Sequence, residues 1–274
     1  MTDNTTKNVV LEATNITKNF GELPVLENLS FSLNKNEFVS LVGPSGCGKT
    51  TCLRILAGLT KSFSGNIQYR LGDISTLPCS LVFQDSPLFP WLTVVDNIKI
   101  CLNFGYEDLN KKEKHTLALD YLIQVGLHDF IDYYPYELSG GMIQRVNIAR
   151  ALASGSEIIL MDEPFVHLDF LQRNDLQKLT LNLLKKQCKS IFFITHNIHE
   201  AVTLSDRVFI MSARPGNIIK ELSVNLPRPR NIDTIRSNQQ YQSLIREISE
   251  LLSAELKKSH VQFEQWLLKK NQNI

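Results

Sequence analysis

The segment Gly43–Thr51 has the residue types and the spacing of a phosphate-binding loop. It reads GPSGCGKTT and fits the pattern G-x-x-x-x-G-K-[ST]. Its glycines let backbone N–H groups surround a phosphate, the Lys49 ammonium can neutralise β- and γ-phosphate oxygens, and the Thr50 hydroxyl can ligate Mg²⁺. The apolar run EFVSLVG before the loop and the helical spacing of TTCLRILAGL after it give the strand, turn and helix that such a loop requires. The segment therefore predicts a nucleotide-binding site.

A pair of carboxylates follows the apolar run Ile158–Met161. Asp162 and Glu163 come directly after it in the sequence EIILMDEP. Because ligands collect at the carboxyl ends of strands in an open parallel sheet, we expect both acids to lie near the nucleotide. Asp162 is then a ligand of Mg²⁺, and Glu163 orients or deprotonates a water molecule aimed at the γ-phosphate. The alternative is that the two acids only begin a helix.

Another anion-binding pattern lies in ELSGGMIQRVNIARAL, Glu137–Leu152. Here Ser139, Gly140 and Gly141 stand directly before a basic, helix-forming run. Backbone N–H groups at a helix N-terminus attract an anion, and glycines place no side chain in the way of a phosphate. The pattern predicts a second phosphate contact in a chain that already has a complete phosphate loop.

Composition and charge restrict the class of protein. The chain has 274 residues, of which 43% are hydrophobic, and this is enough for a large core. Lys and Arg number 29 and Asp and Glu 28, so the net charge of +1 argues against binding nucleic acid by bulk electrostatics. The start MTDNTTKNVV lacks the pattern of a signal peptide, and the apolar runs are too short to span a bilayer. Five cysteines without a CxxC pair favour reduced thiols in the cytosol.

The spacing of apolar residues predicts the elements around these motifs. Alternation before the phosphate loop favours an antiparallel sheet, three- and four-residue spacing favours helices from about 88 to 153, and EIILMD, SIFFITH and DRVFIMS are typical of strands. After the linker NLPRPR, a last helix from about Gln239 to Lys258 has an apolar face formed by Tyr241, Leu244, Ile245, Ile248, Leu251, Leu252 and Leu256. We expect this face to pack on the parent domain or across a dimer; a regulatory or membrane-surface role is the alternative.

The run LSGGMIQRVNIARAL resembles the signature sequence of ABC-type ATPases. That signature stands just upstream of the acidic strand, as Leu138–Leu152 does here. The resemblance covers roughly residues 9–230 and implies an α/β fold: a P-loop NTPase (RecA-like) core, an N-terminal antiparallel β-subdomain and an inserted α-helical subdomain. The implied ATPase domain is 1–230, with a helical subdomain at about 88–153 that carries the signature. A C-terminal helical extension at 231–274 follows it.

The same resemblance implies roles for further residues. Phe20 in ITKNFG lies where the family places an aromatic that stacks on adenine; the alternative is an ordinary strand aromatic. Gln84 matches a glutamine that senses Mg²⁺ and the attacking water, Asp169 matches the D-loop aspartate, and His196 matches a switch histidine that contacts the γ-phosphate. His199 and Glu200 lack the metalloprotease order H-E-x-x-H, so we assign them no metal.

The predicted site then has three groups of residues. The catalytic residues are Glu163, His196 and Gln84. The residues that bind ATP are Phe20, Gly43, Pro44, Ser45, Gly46, Cys47, Gly48, Lys49, Thr50, Thr51, Ser139, Gly140, Gly141 and Asp169. The ligands of Mg²⁺ are Thr50, Gln84 and Asp162.

Four positions depart from the family pattern. Met142 stands where many members have Gln, and Ile143 stands where a basic residue is common. Val166 and His167 stand where small residues are usual, before Leu168 and Asp169. A bulky side chain and an imidazole near the seam of a dimer can alter turnover, or they can simply be tolerated.

Three segments together resemble the nitrate, sulfonate and taurine subgroup of bacterial importers: SPLFPWLTVVDNI, SGGMIQRVNIARAL and MSARPGNI. In this subgroup Pro90–Thr93 belongs to the surface that meets the permease, and exposed aromatic residues suit such a surface. The alternative for Phe89 and Trp91 is packing inside the helical subdomain. The resemblance implies a subunit on the cytoplasmic face of the inner membrane, a permease partner and, indirectly, an extracytoplasmic binding protein.

The expected function is hydrolysis of ATP to ADP and phosphate by a pair of identical chains. ATP on Gly43–Thr51 of one copy is closed over by Ser139–Gly141 of the other, and closure drives the permease. One alternative is a soluble, non-transport ABC ATPase acting on DNA or ribosomes, but this chain has one set of motifs and no basic excess. A phosphate-loop kinase is another alternative, which leaves Ser139–Gly141 and His196 unexplained.

Overall fold

The structure is a computed structural model. It describes the backbone of residues 8–71, 78–84, 88–232 and 234–271, and the side chains of these residues except 184, 185 and 259–271. The chain forms two compact units, one of Met1–Val10, Leu33–Glu37 and Tyr69–Phe192 and the other of Leu11–Ser32, Phe38–Gln68 and Phe193–Ile274. None of the helices in the described part of the chain combines the length and the apolar character needed to cross a bilayer.

The second unit begins with long strands. β1 (Val9–Phe20) and β2 (Leu23–Asn34) are adjacent and are joined by the turn at Gly21, whose φ is 58°. A connection this short requires antiparallel strands, as the sequence predicts. β4 (Ser64–Tyr69) lies on the other side of β1.

A parallel pair carries the phosphate loop. In β3 (Phe38–Val42) every residue is buried, and it pairs in parallel with β8 (Arg207–Met211), with Val42 opposite Ile210. β9 (Ile218–Ser223) is antiparallel to β8. The uninterrupted apolar run of β3 is typical of a strand covered on both faces.

Three helices complete the second unit: α1 (Lys49–Leu56), α6 (Ile198–Leu204) and α7 (Gln239–Asn271). Tyr241, Leu244 and Ile248 of α7 are buried in a cluster with residues of α6, β8 and β9. The predicted apolar face is confirmed up to Leu252, whereas Leu256 is exposed. The face therefore packs on its own chain, which is the first of the two predicted roles.

The described part of the first unit contains two further strands, the start of a third and four α-helices. β5 (Cys79–Val82) is parallel to β6 (Ile158–Asp162), and β7 (Ser190–Ile194) is the next strand in order. The helices are α2 (Val94–Gly105), α3 (Lys111–Gln124), α4 (Gly140–Ala153) and α5 (Phe170–Lys186). The first three fall in the region predicted to be helical.

Local signals fix the starts of these helices. Thr93 caps α2, since its hydroxyl accepts from Asp96 N, and Asn110 forms a capping box with Glu113 at α3. Gly105 at the end of α2 approaches Ser154 so closely that an added Cβ would lie 2.4 Å from its carbonyl oxygen. The glycine thus lets α2 pack against the end of α4.

Candidate nucleotide-binding site

The phosphate loop connects β3 to α1 and is shaped by its glycines. Gly46 and Gly48 have φ angles of 74° and 109°, which favour glycine. A Cβ at Gly48 would lie 2.7 Å from Leu26 Cδ2 and 3.0 Å from Val25 O. Only glycine therefore fits at the position that begins α1.

The loop has the features of an anion site. Gly48 caps α1 without a side chain, so within the described residues no side-chain oxygen occupies the cap of this helix N-terminus. The Lys49 ammonium is buried and donates to Gly43 O at 2.9 Å and to Pro44 O at 3.0 Å. Its positive charge is held over the loop, and Ser45, Gly46 and Thr50 face solvent. A cation, an open helix N-terminus and glycine backbone together fit a phosphate.

His196 follows β7 in the second unit. Thr195 N donates to Leu41 O at 3.4 Å, which places the end of β7 beside the end of β3. His196 is exposed, and Asn197 then caps α6 by accepting from His199 N and Glu200 N. His196 thus lies at the sheet edge from which the phosphate loop begins.

Phe20 ends β1 in the same unit. Its ring is 54% exposed, and the Lys18 ammonium lies 4.6 Å from the ring centroid. Lys18 is itself held by Ser62, to whose carbonyl and hydroxyl oxygens it donates. The ring is accessible, and its role in adenine stacking stays a prediction.

The carboxylates lie in the first unit. Asp162 ends the buried strand β6 and is 7% exposed. Glu163 is half-buried and has a φ of 46°, a left-handed conformation that is uncommon for a residue with a side chain. Such conformations are concentrated at functional sites. Asp162 and Glu163 follow a strand, so the alternative that they merely begin a helix is wrong; α5 begins only at Phe170.

Gln84 lies at the same edge of this unit as Asp162. β5 ends at Val82, which is opposite Met161 in the parallel pair, so the two polar residues each follow the end of a neighbouring strand. Gln84 is exposed. Ser86 and Pro87, which contribute to one of the importer-like segments, lie outside the described residues.

The signature residues form the start of α4. Ser139 caps the helix, and its hydroxyl accepts from Met142 N at 3.3 Å. Gly140 is exposed, and an added Cβ there would meet no described atom within 4 Å. The backbone at Gly140 is therefore open to a large group from outside.

Asp169, which is predicted to be the D-loop aspartate, lies near this helix start. Asp169 Oδ1 accepts from Gln172 N at 2.9 Å, and a Cβ at Gly141 would lie 3.1 Å from Gln172 Oε1. Gln172 thus links the start of α5 to the start of α4. The departures from the family pattern surround them: Met142, Ile143 and Val166 are half-buried, and His167 is exposed.

The predicted residues therefore form two sets. The second unit holds Phe20, the phosphate loop and His196. The first unit holds Gln84, Asp162, Glu163, Ser139, Gly140, Gly141 and Asp169.

Gly216 also belongs to this region, although no motif in the sequence places it there. A Cβ at Gly216 would lie 2.2 Å from Cys47 O, so the loop between β8 and β9 packs directly on the phosphate loop. The segment MSARPGNI signals this only through its glycine and proline. Cys47 Sγ is buried, and burial raises the pKa of its thiol, partly opposed by Lys49.

Comparisons with known proteins identify the family of the chain. The family model described as ABC transporter matches residues 26–166, more than half of the chain. An ABC transporter ATP-binding protein of Methanocaldococcus jannaschii is 43% identical over 235 residues, which are 83% of this chain and 86% of the relative. An aliphatic sulfonates import ATP-binding protein of Bacillus thuringiensis subsp. konkukian is 43% identical over 230 residues, 83% of this chain and 88% of the relative.

Solved structures show the same fold. A dimeric post-hydrolysis state of the ATP-binding cassette MJ0796, bound to ADP and Pi, has a TM-score of 0.68 and 31% identity and covers 79% of this chain and 100% of that chain. A second dimeric structure of that cassette has a TM-score of 0.69 with the same identity and coverage. The predicted α/β P-loop NTPase fold is confirmed. The chain belongs to the ABC transporter family, as an ATP-binding subunit that hydrolyses ATP.

Proposed function

We propose that this chain is the nucleotide-binding subunit of an importer for a small oxyanion, of the sulfonate, taurine or nitrate class, and that it works as a homodimer. The observation that carries the proposal is the exposed start of α4. Ser139 and Gly140 form an exposed helix start that is suited to binding a phosphate and has open space beside it. The phosphate loop Gly43–Thr51 of the same chain is complete without these residues. The importer class is supported by the sulfonate import proteins, which are 43% identical over most of their length.

In this proposal different residues bind ATP and carry out its hydrolysis. The loop Gly43–Thr51 holds the phosphates through its backbone and Lys49, and Phe20 stacks on adenine. Glu163 takes a proton from the attacking water, and His196 donates to the γ-phosphate. The unusual backbone of Glu163 supports this role, since residues in such conformations are concentrated at functional sites.

The chain also offers a suitable set of groups for Mg²⁺. Thr50, Gln84 and Asp162 supply hydroxyl, amide and carboxylate oxygens, which are the ligands that this ion prefers. Mg²⁺ bound together with ATP would offset negative charge on the β- and γ-phosphates.

The second copy completes the site. Ser139, Gly140 and Gly141 of one copy contact the γ-phosphate on the loop of the other, and Asp169 lies at the same seam. Only ATP presents a γ-phosphate to both surfaces, so ATP favours the closed pair and ADP does not. The two dimeric structures of a 31% identical cassette support this pairing.

We assign the permease surface to the segment Phe89–Thr93 and the groove beside it. Trp91 is 70% exposed, its ring centroid is 5.5 Å from that of Phe89, and the Arg150 guanidinium lies 5.3 Å from the Phe89 ring. Buried Asn97 fixes the segment, since it accepts from Phe89 N and donates to Phe89 O, Leu92 O and Thr93 O. Such rigid, exposed aromatic groups are typical anchors of an interface.

A depression of about 220 Å³ continues this surface and has room for the side chains of a partner helix. Its lining includes Phe83, which precedes Gln84, so a docked helix would contact the chain next to a catalytic residue. In this proposal the subunit is peripheral, on the cytoplasmic face of the inner membrane, and meets the extracytoplasmic binding protein only through the permease. The domain limits, 1–230 with a helical subdomain at about 88–153 and an extension at 231–274, stay a prediction.

Association of the Glu163→Gln variant tests the dimer. An amide cannot take the proton from water, so we expect this variant to bind Mg-ATP without turnover and to elute as a dimer in size-exclusion chromatography with light scattering. The double variant with Ser139→Arg is the matched control, and it should stay monomeric with ATP bound. A Glu163→Gln protein that stays monomeric and hydrolyses ATP at the wild-type rate would contradict the proposal.

Co-purification tests the transport role. A tagged chain should bring down a multi-span permease, and alanine at Trp91 should release it while ATP binding is kept. The solute is then identified by stimulation of ATP hydrolysis in liposomes that contain the complex, with an alkanesulfonate, taurine and nitrate compared. Retention on DNA or ribosomes without a permease would support the non-transport alternative.

A further inference from the structure

We propose that α7 is a positioning element of the ATP site, in which Glu255 fixes the loop Ser212–Asn217 against the phosphate loop and thereby sets the affinity for ATP. This rests on the proposed role of Gly43–Thr51 in binding ATP. α7 lies outside the residues 26–166 that match the family model, so family membership does not assign it a role.

The loop Ser212–Asn217 packs on the phosphate loop at Gly216, where an added Cβ would overlap Cys47 O. Arg214 of the same loop lies beside Gly46, since a Cβ added there would be 3.9 Å from Arg214 Nη2. Met211, the residue of β8 directly before this loop, packs on Gly43, where a Cβ would lie 2.9 Å from Met211 Cβ. A shift of this loop therefore moves or frees the backbone that is predicted to surround the phosphates, because the atoms at Gly216 and Gly43 are packed without space between them.

One side of the loop is tied to β2. Gly216 N donates to Val25 O at 2.8 Å, and Glu27 N donates to Gly216 O at 3.1 Å. Ser212 closes the loop internally: its N–H donates to Asn217 O and its hydroxyl donates to Pro215 O. These bonds fix the Gly216 end.

The other side is tied to α7 through Glu255. Its Oε2 accepts from Ala213 N at 2.9 Å, and its Oε1 forms an ion pair with Lys258 at 2.5 Å. Glu255 is 4% exposed, although it lies on a helix whose neighbouring residues Leu256 and Lys257 face solvent. A buried carboxylate is costly unless it is bonded on both oxygens, and here both are.

The N-terminal part of α7 is anchored to the helix that follows the switch histidine. Tyr241 OH lies 2.9 Å from His199 Nδ1, and burial together with Arg236 lowers the pKa of His199, so its neutral ring is favoured. Tyr241 and Glu255 are fourteen residues apart, about 21 Å along a helix. One continuous helix thus joins the start of α6 to the loop beneath the phosphates.

Variants that differ in side-chain length or in charge at position 255 separate the bond to Ala213 from the effect of the charge. Glu255→Asp keeps the negative charge, and the long Lys258 side chain can still pair with it. The Asp side chain is one methylene shorter, about 1.5 Å, so its carboxylate cannot reach Ala213 N without movement of the helix. Glu255→Gln keeps the length and an acceptor oxygen. Glu250→Ala, on the exposed side of the same helix, is the matched control.

Calorimetric titration of the full chain with Mg-ATP measures the effect. We expect the Kd to rise about tenfold in Glu255→Asp and Glu255→Ala, from loss of a hydrogen bond to a charged group, and to change less than about threefold in Glu255→Gln and not at all in Glu250→Ala. Urea unfolding of each variant shows that it is folded under the titration conditions. If Glu255→Ala does not fold, the Asp and Gln pair decides.

Two outcomes overturn the inference. One is a folded Glu255→Asp protein with the wild-type Kd. The other is a loss of affinity in Glu255→Gln at least as large as that in Glu255→Asp, which would mean that the reach of the side chain to Ala213 N is not what sets the affinity. Lys49→Ala in the same titration tests the underlying proposal separately, because an unchanged affinity of this variant for ATP would refute the role of Gly43–Thr51 itself.

Discussion

The helices α1 and α4 each have a glycine at their start that is predicted to face a phosphate, Gly48 as the cap of α1 and Gly140 as the first residue of α4, but their surroundings differ. At α1 the loop is held by its own chain, and we call this the enclosed site: Gly48 has a left-handed φ, Cys47 is 1% exposed and Lys49 is bonded to two carbonyl oxygens of the loop, while Ser45, Gly46 and Thr50 face solvent. At α4 the helix start is open: Ser139 and Gly140 face solvent. An enclosed loop can hold a ligand by itself, whereas an open helix start adds to binding only when another surface supplies the phosphate.

Loss of the charge at the enclosed site should have the largest effect. Lys49→Ala removes a buried ammonium and its charge-assisted bonds to phosphate, so we expect ATP binding to weaken by about 100-fold. Hydrolysis should be lost with it. Calorimetric titration with Mg-ATP measures the Kd, and Lys61→Ala, at an exposed lysine of the same unit, is the control. A Kd within threefold of the wild type would remove the distinction between the two helix starts.

Blocking the open site should remove hydrolysis and leave binding intact. Ser139→Arg puts a long side chain where the partner's phosphate would lie, but Ser139 is not part of the enclosed loop. We expect the Kd for ATP to stay within about twofold and phosphate release to fall by about 100-fold, the usual scale for a lost transition-state contact. A parallel loss of binding would show that Ser139 acts on its own copy's nucleotide.

Two glycine substitutions compare the backbone at the two sites. Gly48→Ala introduces a Cβ at a φ of 109° and into contact with Leu26, so the free energy of unfolding should fall by about 1–3 kcal/mol. Gly140→Ala should leave it unchanged or raise it by about 0.5 kcal/mol, because the new Cβ has space and alanine favours a helix. Urea unfolding measures both, and equal losses would contradict the difference in enclosure.

Thiol reactivity gives the smallest and most local contrast. A thiol introduced by Ser139→Cys should react with iodoacetamide at a rate that rises about tenfold per pH unit below its ordinary pKa. Cys47 should stay unlabelled over the same range, because its Sγ is buried and burial raises its pKa. Peptide mass spectrometry resolves the two sites. Labelling of Cys47 in the native protein would mean that the loop opens without ligand.

Much of this contrast could be predicted from sequence because it is local. The spacing of GPSGCGKTT between a strand and a helix and the SGG run before α4 indicated both phosphate-facing helix starts, and apolar spacing indicated α2, α3, α4 and α7. The carboxylates at the end of β6 followed from the same periodicity. A motif whose chemistry depends on residues that are close in sequence can be recognised from the sequence.

What escaped prediction depends on contacts between distant residues. The bond between Glu255 and Ala213 joins residues 42 apart, and the space that Gly216 must leave for Cys47 involves two loops far apart in sequence. The left-handed backbone of Glu163 is set by its surroundings and not by its residue type, because glutamate rarely adopts it. One sequence contains no pattern for such pairings.

The most direct test of the central claim, that the open site of one copy completes the enclosed site of another, uses two variants in the Glu163→Gln background. One copy carries Lys49→Ala and the other, with a different tag, carries Ser139→Arg. Alone, neither should associate in Mg-ATP. Mixed, they should co-purify in ATP but not in ADP, because the loop of the second copy faces the intact signature of the first. Absence of mixed dimers, with ATP still bound to the Ser139→Arg copies, would contradict the account.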